Sequence, residues 1–146
     1  MDDEDKKHMN SLSFITKSNH EWDKKIASGL RKECETLTGM VEEFQTHSLY
    51  VKRREVFAGG ISVEQHGDIL WIDSLWVGPH FRKQGIGKIL IEKIMHFSVA
   101  VKAKEVQLNT YFKEAHAFFL ACGFEDVAEI PHWKYDLTCY LMRKKL

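Results

Sequence analysis

The spacing of apolar residues along this chain predicts a series of short strands and three helices. Alternating or continuous apolar runs bounded by turn residues are typical of strands, and apolar residues three to four positions apart are typical of helices. The predicted helices cover residues 20–37, 86–101 and 113–122. The predicted strands cover residues 11–16, 46–51, 56–63, 69–77, 106–110, 124–130 and 137–142. Strands that flank two later helices around a mixed sheet indicate an α+β or α/β class with one core.

The first predicted helix carries start and stop signals as well as an apolar stripe. Asn19 can cap its N-terminus, and Gly39 can end it. Its apolar residues are four positions apart and form one stripe: Trp22, Ile26, Leu30 and Cys34. Residues 1–10 are predicted to form a flexible polar tail, and residues 11–146 a single domain.

The run from residue 69 to 77 is the most apolar of the predicted strands and contains Trp71 and Trp76. We therefore expect a central strand that is buried on both faces. The strand before it is interrupted by Gly59 and Gly60, which indicates a bulge or the close approach of another backbone.

Composition narrows the class of function. The chain has 146 residues, with 21 basic residues against 21 acidic ones. This balance gives no global field that would point to nucleic acid or to an acidic membrane surface. No apolar run reaches the roughly 18 residues that span a bilayer, and the charged N-terminus lacks the apolar region of a signal peptide. We expect no nucleic-acid partner and no membrane partner.

The cysteines and histidines bear on the compartment and on metal binding. Cys34, Cys122 and Cys139 are odd in number and widely spaced, which favours free thiols in a reducing compartment and hence the cytoplasm. No cysteine pair has zinc spacing, and the eight histidines include no pair four positions apart. We expect no metal ion.

The turn between the most apolar strand and the second predicted helix carries the clearest chemical signal. Residues 81–88 read Phe-Arg-Lys-Gln-Gly-Ile-Gly-Lys. Glycines at the N-terminus of a helix let the backbone fold closely around a ligand. The first N–H groups of the helix have no intrahelical partner, and together with the positive end of the helix dipole they favour an anion. Arg82, Lys83 and Lys88 add positive charge, so the sequence predicts a phosphate-bearing ligand.

Two nucleotide-binding patterns fail at fixed positions of this turn. A Walker loop, G-x-x-x-x-G-K-[ST], requires a glycine where Arg82 stands and a hydroxyl where Ile89 stands. A dinucleotide fingerprint, G-x-G-x-x-G, requires a third glycine where Leu90 stands and a later acidic residue. The pattern R-x-x-G-x-G is satisfied at every fixed position by residues 82–87.

In its strand-to-helix context this pattern resembles the pyrophosphate loop of the GNAT N-acetyltransferase family, which binds acetyl-CoA. The likeness covers about residues 25–146, includes the pair Gly123-Phe124, and is strongest with a small single-domain bacterial-type branch. It implies an acyl-CoA acyltransferase fold of the α+β (α/β three-layer) class. Such a fold has a mixed, mostly antiparallel central sheet, flanking helices, and fourth and fifth strands that splay apart, here residues 69–77 and 106–110.

The resemblance also implies the co-substrate and its binding residues. Acetyl-CoA would place its pantetheine arm between the splayed strands, on the backbone groups of Leu75, Trp76 and Val77. Asn109 could hydrogen-bond the arm or, alternatively, stabilise the nearby turn. The pyrophosphate would be wrapped by the loop residues Arg82, Lys83, Gln84, Gly85, Ile86, Gly87 and Lys88.

Transfer of an acetyl group to an amine needs a base for the amine, a donor for the thioester carbonyl and a proton for the leaving thiolate. Asp73 is the candidate general base, because burial in an apolar strand would favour its protonation and it would lie near the acceptor amine in the resemblance. It could instead be exposed or form an ion pair with Arg53 or Arg54, and Glu64 is the reserve candidate.

The acid that protonates the leaving thiolate is harder to assign. Phe119 stands where many members of the family have a tyrosine, and it cannot donate a proton. It could pack against the acetyl-CoA arm or belong to the core. Tyr111 and Cys122 are the nearest alternative donors, although Cys122 also fits a small buried apolar role, and water is a third. The protein is therefore expected to be an N-acetyltransferase for a primary amine of a small molecule or protein, or else a catalytically silent acetyl-CoA or CoA sensor.

Acceptor contacts in this family come from the first helix and from variable loops, here residues 33–46 and 130–135. The four tryptophans could wall an acceptor pocket. Acidic residues in the first of these loops would suit a cationic amine, but a solvated helix end explains the same residues and is favoured. Members of the family often form homodimers, so a homodimer stays open.

Overall fold

The computed structural model describes residues 12–41 and 45–146, and the chain divides into two compact units, Met1–Val41 and Glu42–Leu146. The described part of the first unit contains helix α1, His20–Thr38. The side chain of Asn19 accepts hydrogen bonds from the backbone N–H groups of the first turn, and Gly39 ends the helix in the left-handed conformation at φ 70°. Both predicted helix ends are confirmed. Whether residues 11–146 form one domain stays a prediction.

The predicted first strand is wrong over the residues that can be checked. Residues 12–16 are in no strand, and Ser11 lies outside the described residues, as does the predicted tail at 1–10. Leu12, Phe14 and Ile15 are exposed. Weak alternation does not make a strand unless a neighbouring strand completes its hydrogen-bond ladder. In α1 the helical period is correct, but its apolar stripe is largely exposed, and no residue of the helix is buried.

The second unit is built on one six-stranded sheet with strand order β1-β2-β3-β4-β6-β5. All neighbouring strands are antiparallel except β3 and β4, which are parallel. The strands are β1 (Gln45–Arg53), β2 (Val56–His66), β3 (Ile69–Val77), β4 (Glu105–Thr110), β5 (Glu125–Ile130) and β6 (Cys139–Lys145). The helices are α2 (Ile86–Ala100), between β3 and β4, and α3 (Lys113–Ala121), between β4 and β5. The mixed, mostly antiparallel α+β class is confirmed.

The parallel pair β3–β4 opens into a cleft. Its ladder joins Ile69, Leu70 and Trp71 to the first residues of β4, and among the described residues it has no further pairs. Beyond Trp71 the strands run on to Val77 and Thr110 without pairing to each other. The splayed fourth and fifth strands expected from the family resemblance are therefore present here as β3 and β4.

A β-bulge in β3 lies just beyond the last β3–β4 pair. In the β2–β3 ladder Val63 pairs with Ile72 and Ser62 with Ser74, so Asp73 is the extra residue. A bulge bends the strand that carries it and increases its twist. The bulge thus lies where the pairing between β3 and β4 ends.

The glycines of β2 allow a close approach of neighbouring backbone, as predicted. A Cβ atom on Gly59 would lie 2.4 Å from the carbonyl oxygen of Trp76. A Cβ atom on Gly60 would lie 2.8 Å from the carbonyl oxygen of Leu49. Only glycine fits at these two positions beside β1 and β3.

Only one face of β3 is buried, so the prediction of burial on both faces is wrong. Leu70 and Ile72 lie in the core with Ile86 and Leu90 of α2. Asp73 and Trp76 are exposed. A run that includes tryptophan counts as apolar in sequence, although such a large side chain often stays partly at the surface.

The last strand begins later than its apolar pattern predicts. Residues 137 and 138 belong to the β5–β6 loop, because the Trp133 N–H donates to the Leu137 carbonyl and the Leu137 N–H donates to the Lys134 carbonyl. These two hydrogen bonds fold the loop on itself. Strand β6 therefore starts at Cys139.

Candidate active site

The glycine turn lies between the open end of β3 and the first turn of α2. A short 3₁₀ turn, Pro79–Phe81, follows β3, and Gly85 precedes α2 at φ 82°, in the left-handed region. Among the described residues no side chain caps this helix. The first N–H groups of α2 are thus left for a ligand, which is the arrangement that binds anions at a helix N-terminus.

Arg82 and Gln84 fix the shape of this turn. The Nε of Arg82 donates to the carbonyl oxygen of Val77 at 2.8 Å, which ties the turn to the end of β3. The side-chain amide of Gln84 donates to the His80 carbonyl at 3.2 Å and accepts a hydrogen bond from Nη1 of Arg53. Arg82 therefore positions the loop as well as adding charge, and it occupies the Val77 carbonyl that was predicted to face the pantetheine arm.

The two loop glycines are required for different reasons. Gly85 supplies the left-handed backbone, in which a residue with a Cβ is strained. Gly87 is required by packing, because a Cβ there would lie 3.2 Å from the ring of Phe118 on α3. The start of α2 thus packs closely against α3. The periodicity of α3 placed Phe118 in an apolar stripe but gave no sign of this contact.

The other wall of the cleft is the end of β4. Asn109 is exposed there, and its side-chain amide is 3.8 Å from the sulfur of Cys139 on β6, a weak contact that leaves it available. The predicted bond from Asn109 to the pantetheine arm stays a prediction. Leu75 of β3 faces the same gap with its unpaired backbone groups, since β3 pairs only with β2 at this level. The Trp76 carbonyl instead points to Gly59 of β2, so the predicted contact of the Trp76 backbone with the pantetheine arm is not supported.

Asp73 is exposed, so its predicted burial is wrong, and the physical reason is the bulge that carries it. Its carboxylate has no hydrogen bond or ion pair with any described residue. Arg53 bonds Gln84 instead, so the alternative ion pair with that arginine is not formed. The reserve candidate Glu64 is engaged, with its carboxylate 3.1 Å from Nε2 of His66. Among the residues that the structure describes, Asp73 is thus a carboxylate without a partner, directly beyond the last β3–β4 pair.

A family model described as "Acetyltransferase (GNAT) family" matches residues 13–124 of this chain. The chain belongs to the GNAT acetyltransferase family. This confirms, at the level of the family, the N-acetyltransferase expected from the R-x-x-G-x-G loop.

Similar proteins agree with this assignment. A curated relative, the uncharacterised N-acetyltransferase YkwB of Bacillus subtilis, is 33% identical over 70 residues, which cover 45% of this chain and 31% of the relative. The match thus spans about a third of that relative's length. An acetyltransferase from Bacillus cereus has a similar solved structure, with a TM-score of 0.83, 19% identity and coverage of 92% of this chain and 98% of that one. At this identity the likeness concerns the fold alone.

A second solved structure is similar over most of its length. It is an aminoglycoside 6'-N-acetyltransferase in complex with coenzyme A, with a TM-score of 0.65 and 15% identity. The match covers 91% of this chain and 95% of that one. It too is a likeness of fold.

The family's usual tyrosine position is filled here by a core residue. Phe119 is 6% exposed and packs edge-on against the rings of Phe118 and Phe124, with centroids 5.2 and 5.5 Å away. This burial favours the core role for Phe119 over a contact with the acetyl-CoA arm. Among its neighbours, Phe118 lies closer to the loop because it touches Gly87.

The two alternative acids differ in their surroundings. Tyr111 follows β4, and the ammonium of Lys134 lies 5.7 Å from the centre of its ring, so the β5–β6 loop reaches this side chain. Burial raises the pKa of the Cys122 thiol, against the opposing effect of Lys144 and Lys88. A thiol with a raised pKa is a poorer proton donor. Both side chains stay candidates for the acid, and their surroundings do not decide between them.

A group of three side chains around His116 could not be foreseen from the sequence. Nε2 of His116 lies 2.8 and 3.0 Å from the carboxylate oxygens of Asp126, and its ring stacks on Tyr140 with centroids 3.7 Å apart. These residues come from α3, β5 and β6 and share no sequence pattern.

Membrane-spanning helices and metal-binding clusters are both absent from residues 12–41 and 45–146. No helix there has the length and apolar content to cross a bilayer. No group of three or more His, Cys, Asp or Glu side chains is placed to hold a metal ion. The three cysteines are unpaired. Residues 42–44 of the predicted acceptor loop lie outside the described residues.

Proposed function

We propose that this protein transfers the acetyl group of acetyl-CoA directly to a primary amine. The observation that carries the proposal is the uncapped N-terminus of α2, held by Gly85 and Arg82 at the open end of the β3–β4 cleft. Three features of acetyl-CoA match this site: an extended amide arm suits the unpaired strand edge, a pyrophosphate suits the helix N-terminus, and a thioester would lie between them. The coenzyme A bound to a protein of similar fold supports the same choice.

In the proposed reaction the amine nitrogen attacks the thioester carbonyl carbon, and the C–S bond then breaks. The nitrogen loses a proton to Asp73, directly or through one water. The free, solvent-accessible carboxylate supports this role, since a base must be open to its substrate. The backbone N–H group of Leu75 would stabilise the oxygen that becomes negative. The CoA thiolate leaves and takes up a proton from Tyr111 or from solvent.

The alternative is a protein that binds acetyl-CoA or CoA without efficient transfer. The observation that favours it is the burial of Phe119 at the position where many relatives carry a tyrosine. Asp73 weighs against it, because a protein that only binds CoA has no need of a free carboxylate beside the thioester.

Two measurements separate these functions. In a thermal-shift assay, acetyl-CoA or CoA at a hundredfold excess over Kd should raise the free energy of unfolding by about 2.7 kcal/mol. ATP and NAD should raise it little. Chromatographic detection of released CoA, over a panel of primary amines, then distinguishes transfer from binding. Absence of a shift with both CoA species would remove both functions, and a shift without amine-dependent release would leave the sensor. Cytoplasmic location and a homodimer remain predictions.

A further inference from the structure

The sheet face opposite α2 carries an ordered set of side chains on β1, β2 and β3. Residues directly opposite each other in adjacent strands place their side chains on the same face. The other face is the one packed against α2, with Ile61 and Val63 in the core. On the opposite face the register gives three rows: Thr46–Glu64–Trp71, Ser48–Ser62–Ser74 and Tyr50–Gly60–Trp76.

An exposed aromatic cluster lies along the last of these rows. Phe57 has its ring centre 6.4 Å from that of Tyr50 and 6.1 Å from that of Trp76, and its plane is within 12° of the Trp76 plane. Tyr50, Phe57 and Trp76 are 69%, 53% and 51% exposed. Three adjacent rings at the surface are a costly arrangement for a domain in water, and such patches mark binding sites. We call these three residues the aromatic row.

The row beside the aromatic row consists of three serines, whose side chains are much smaller than the aromatic rings. Ser48 and Ser62 have their hydroxyl oxygens 3.4 Å apart, and Ser74 completes the row on β3. Rows of one face are roughly 6.8 Å apart, about the width of one six-membered ring. The register thus places the three serines between the aromatic row and Trp71, and we call this surface of small side chains the trough.

The trough meets the proposed reaction centre at β3. Asp73 precedes Ser74 in the bulge and has no partner among the residues that the structure describes. Trp76 follows Leu75, whose backbone faces the cleft. Asp73 and Trp76 are three positions apart, roughly 10 Å along the strand. An aromatic ring with a two-carbon amine chain, together with the Asp73 side chain, is long enough to cover that distance.

We propose that this trough binds the acceptor and that the aromatic row selects an arylalkylamine, a primary amine joined by a short carbon chain to a flat aromatic ring. The ring stacks on Phe57 and Trp76, and the amine lies between Asp73 and the thioester. A cation at that end fits the unpaired carboxylate, and stacking fits the exposed rings. This inference rests on the proposed acetyl transfer.

The test compares 2-phenylethylamine with 2-cyclohexylethylamine, which has the same chain and a similar apolar surface but no aromatic face. The readout is the ratio of their kcat/KM values for CoA release. The wild-type protein should favour the phenyl amine, and Phe57→Leu should reduce that preference roughly threefold to tenfold, the effect of one aromatic contact. Phe57→Tyr keeps a ring and should retain the preference. Phe14→Leu replaces an exposed phenylalanine outside this sheet and should leave the ratio unchanged.

The outcomes separate this inference from the proposed function. If aliphatic amines are acetylated and the ratio is near one, or Phe57→Leu leaves it unchanged, the aromatic row is not the acceptor site and acetyl transfer stands. If Tyr135→Leu in the β5–β6 loop lowers the ratio and Phe57→Leu does not, the acceptor lies at that loop. If no amine releases CoA and acetyl-CoA gives no thermal shift, the proposed function itself fails.

Discussion

Arg82 and Val77 are joined by a hydrogen bond of 2.8 Å from Nε of the arginine to the backbone carbonyl. The bond links the last residue of β3, on the cleft, to the turn that precedes α2. The arginine of the R-x-x-G-x-G pattern thus holds two parts of the proposed acetyl-CoA site in register.

Replacing Arg82 by alanine should weaken CoA binding about tenfold, the lower part of the range for a hydrogen bond that involves a charged group. The loss comes from a turn that is no longer tied to β3 as well as from one missing charge. Calorimetric titration with CoA measures it. Lys83→Ala is the control, since Lys83 lies in the same turn and has no bond to β3 in the described structure. It removes one charge, and its smaller effect should vanish in high salt. Equal and equally salt-sensitive losses in both variants would mean that Arg82 acts by charge alone.

Gly85→Ala should destabilise the protein by about 1–2 kcal/mol, because an L residue is forced into the left-handed region. Urea unfolding measures the change in the free energy of unfolding. Gly29 in α1 is a matched control, since its backbone is helical and nothing lies within 4 Å of an added Cβ. Gly29→Ala should stabilise the helix by about 0.5–1 kcal/mol. A neutral Gly85→Ala would show that the turn has a different backbone in solution.

Removing the Asp73 carboxylate should reduce kcat/KM by about a hundredfold, the lower end of the range for a general base, while leaving CoA affinity unchanged. Asp73→Asn tests this with steady-state kinetics of CoA release. Glu64→Gln, whose wild-type carboxylate is bonded to His66, should have little effect. If Glu64→Gln gives the large loss and Asp73→Asn does not, the base has been assigned to the wrong carboxylate.

Phe119→Tyr should lower stability by about 1–3 kcal/mol without raising kcat, because the new hydroxyl enters a packed aromatic core. Urea unfolding and CoA-release kinetics on the same preparation measure both effects. A variant that is as stable as wild type and faster would mean that the side chain at this position can protonate the leaving CoA thiolate.

The ion pair between Asp68 and Lys104, beside the start of β4, should give a pH-dependent contribution to stability. The hydrogen bond that Lys104 donates to the Asp68 carboxylate lowers the pKa of Asp68 below its ordinary 3.8, and the same bond raises the pKa of Lys104 above its ordinary 10.5. The Asp68 contribution is present above pH 3.8 and is lost as pH falls through the lowered value. The Lys104 contribution is present below pH 10.5 and is lost as pH rises through the raised value.

Asp68→Asn should therefore unfold at a lower urea midpoint than the wild type at neutral pH, and the two midpoints should converge in strong acid. Both residues are at the surface, so the difference is small and should shrink in high salt. A difference that persists below the lowered pKa would point to lost packing instead.

The local pattern predicted the elements well where the apolar period was strong. The strand at residues 69–77 and the start of α2 agree with Ile69–Val77 and Ile86 to the residue. The same pattern could not tell that β3 is buried on one face only, because that depends on what packs against each side. It also placed a strand at residues 11–16, where the described residues have no strand partner.

The candidate site was predictable where it is local in sequence. Residues 82–87 are consecutive and include the turn before α2 and the first residues of that helix. Their sequence pattern alone therefore indicates the proposed cofactor site. The contact between Arg53 and Gln84 spans 31 positions, and that between Phe57 and Trp76 arises from strand register. Neither has a periodic signature. The exposure of Asp73 follows from a one-residue bulge, which an apolar run does not reveal.

The most direct test of the account is amine-dependent release of CoA from acetyl-CoA by the purified protein, followed chromatographically together with the acetylated amine. We expect release of one CoA for each amine acetylated, with 2-phenylethylamine among the better acceptors and strong impairment by Asp73→Asn. Tight binding of acetyl-CoA with no acetylated product from any primary amine would contradict it.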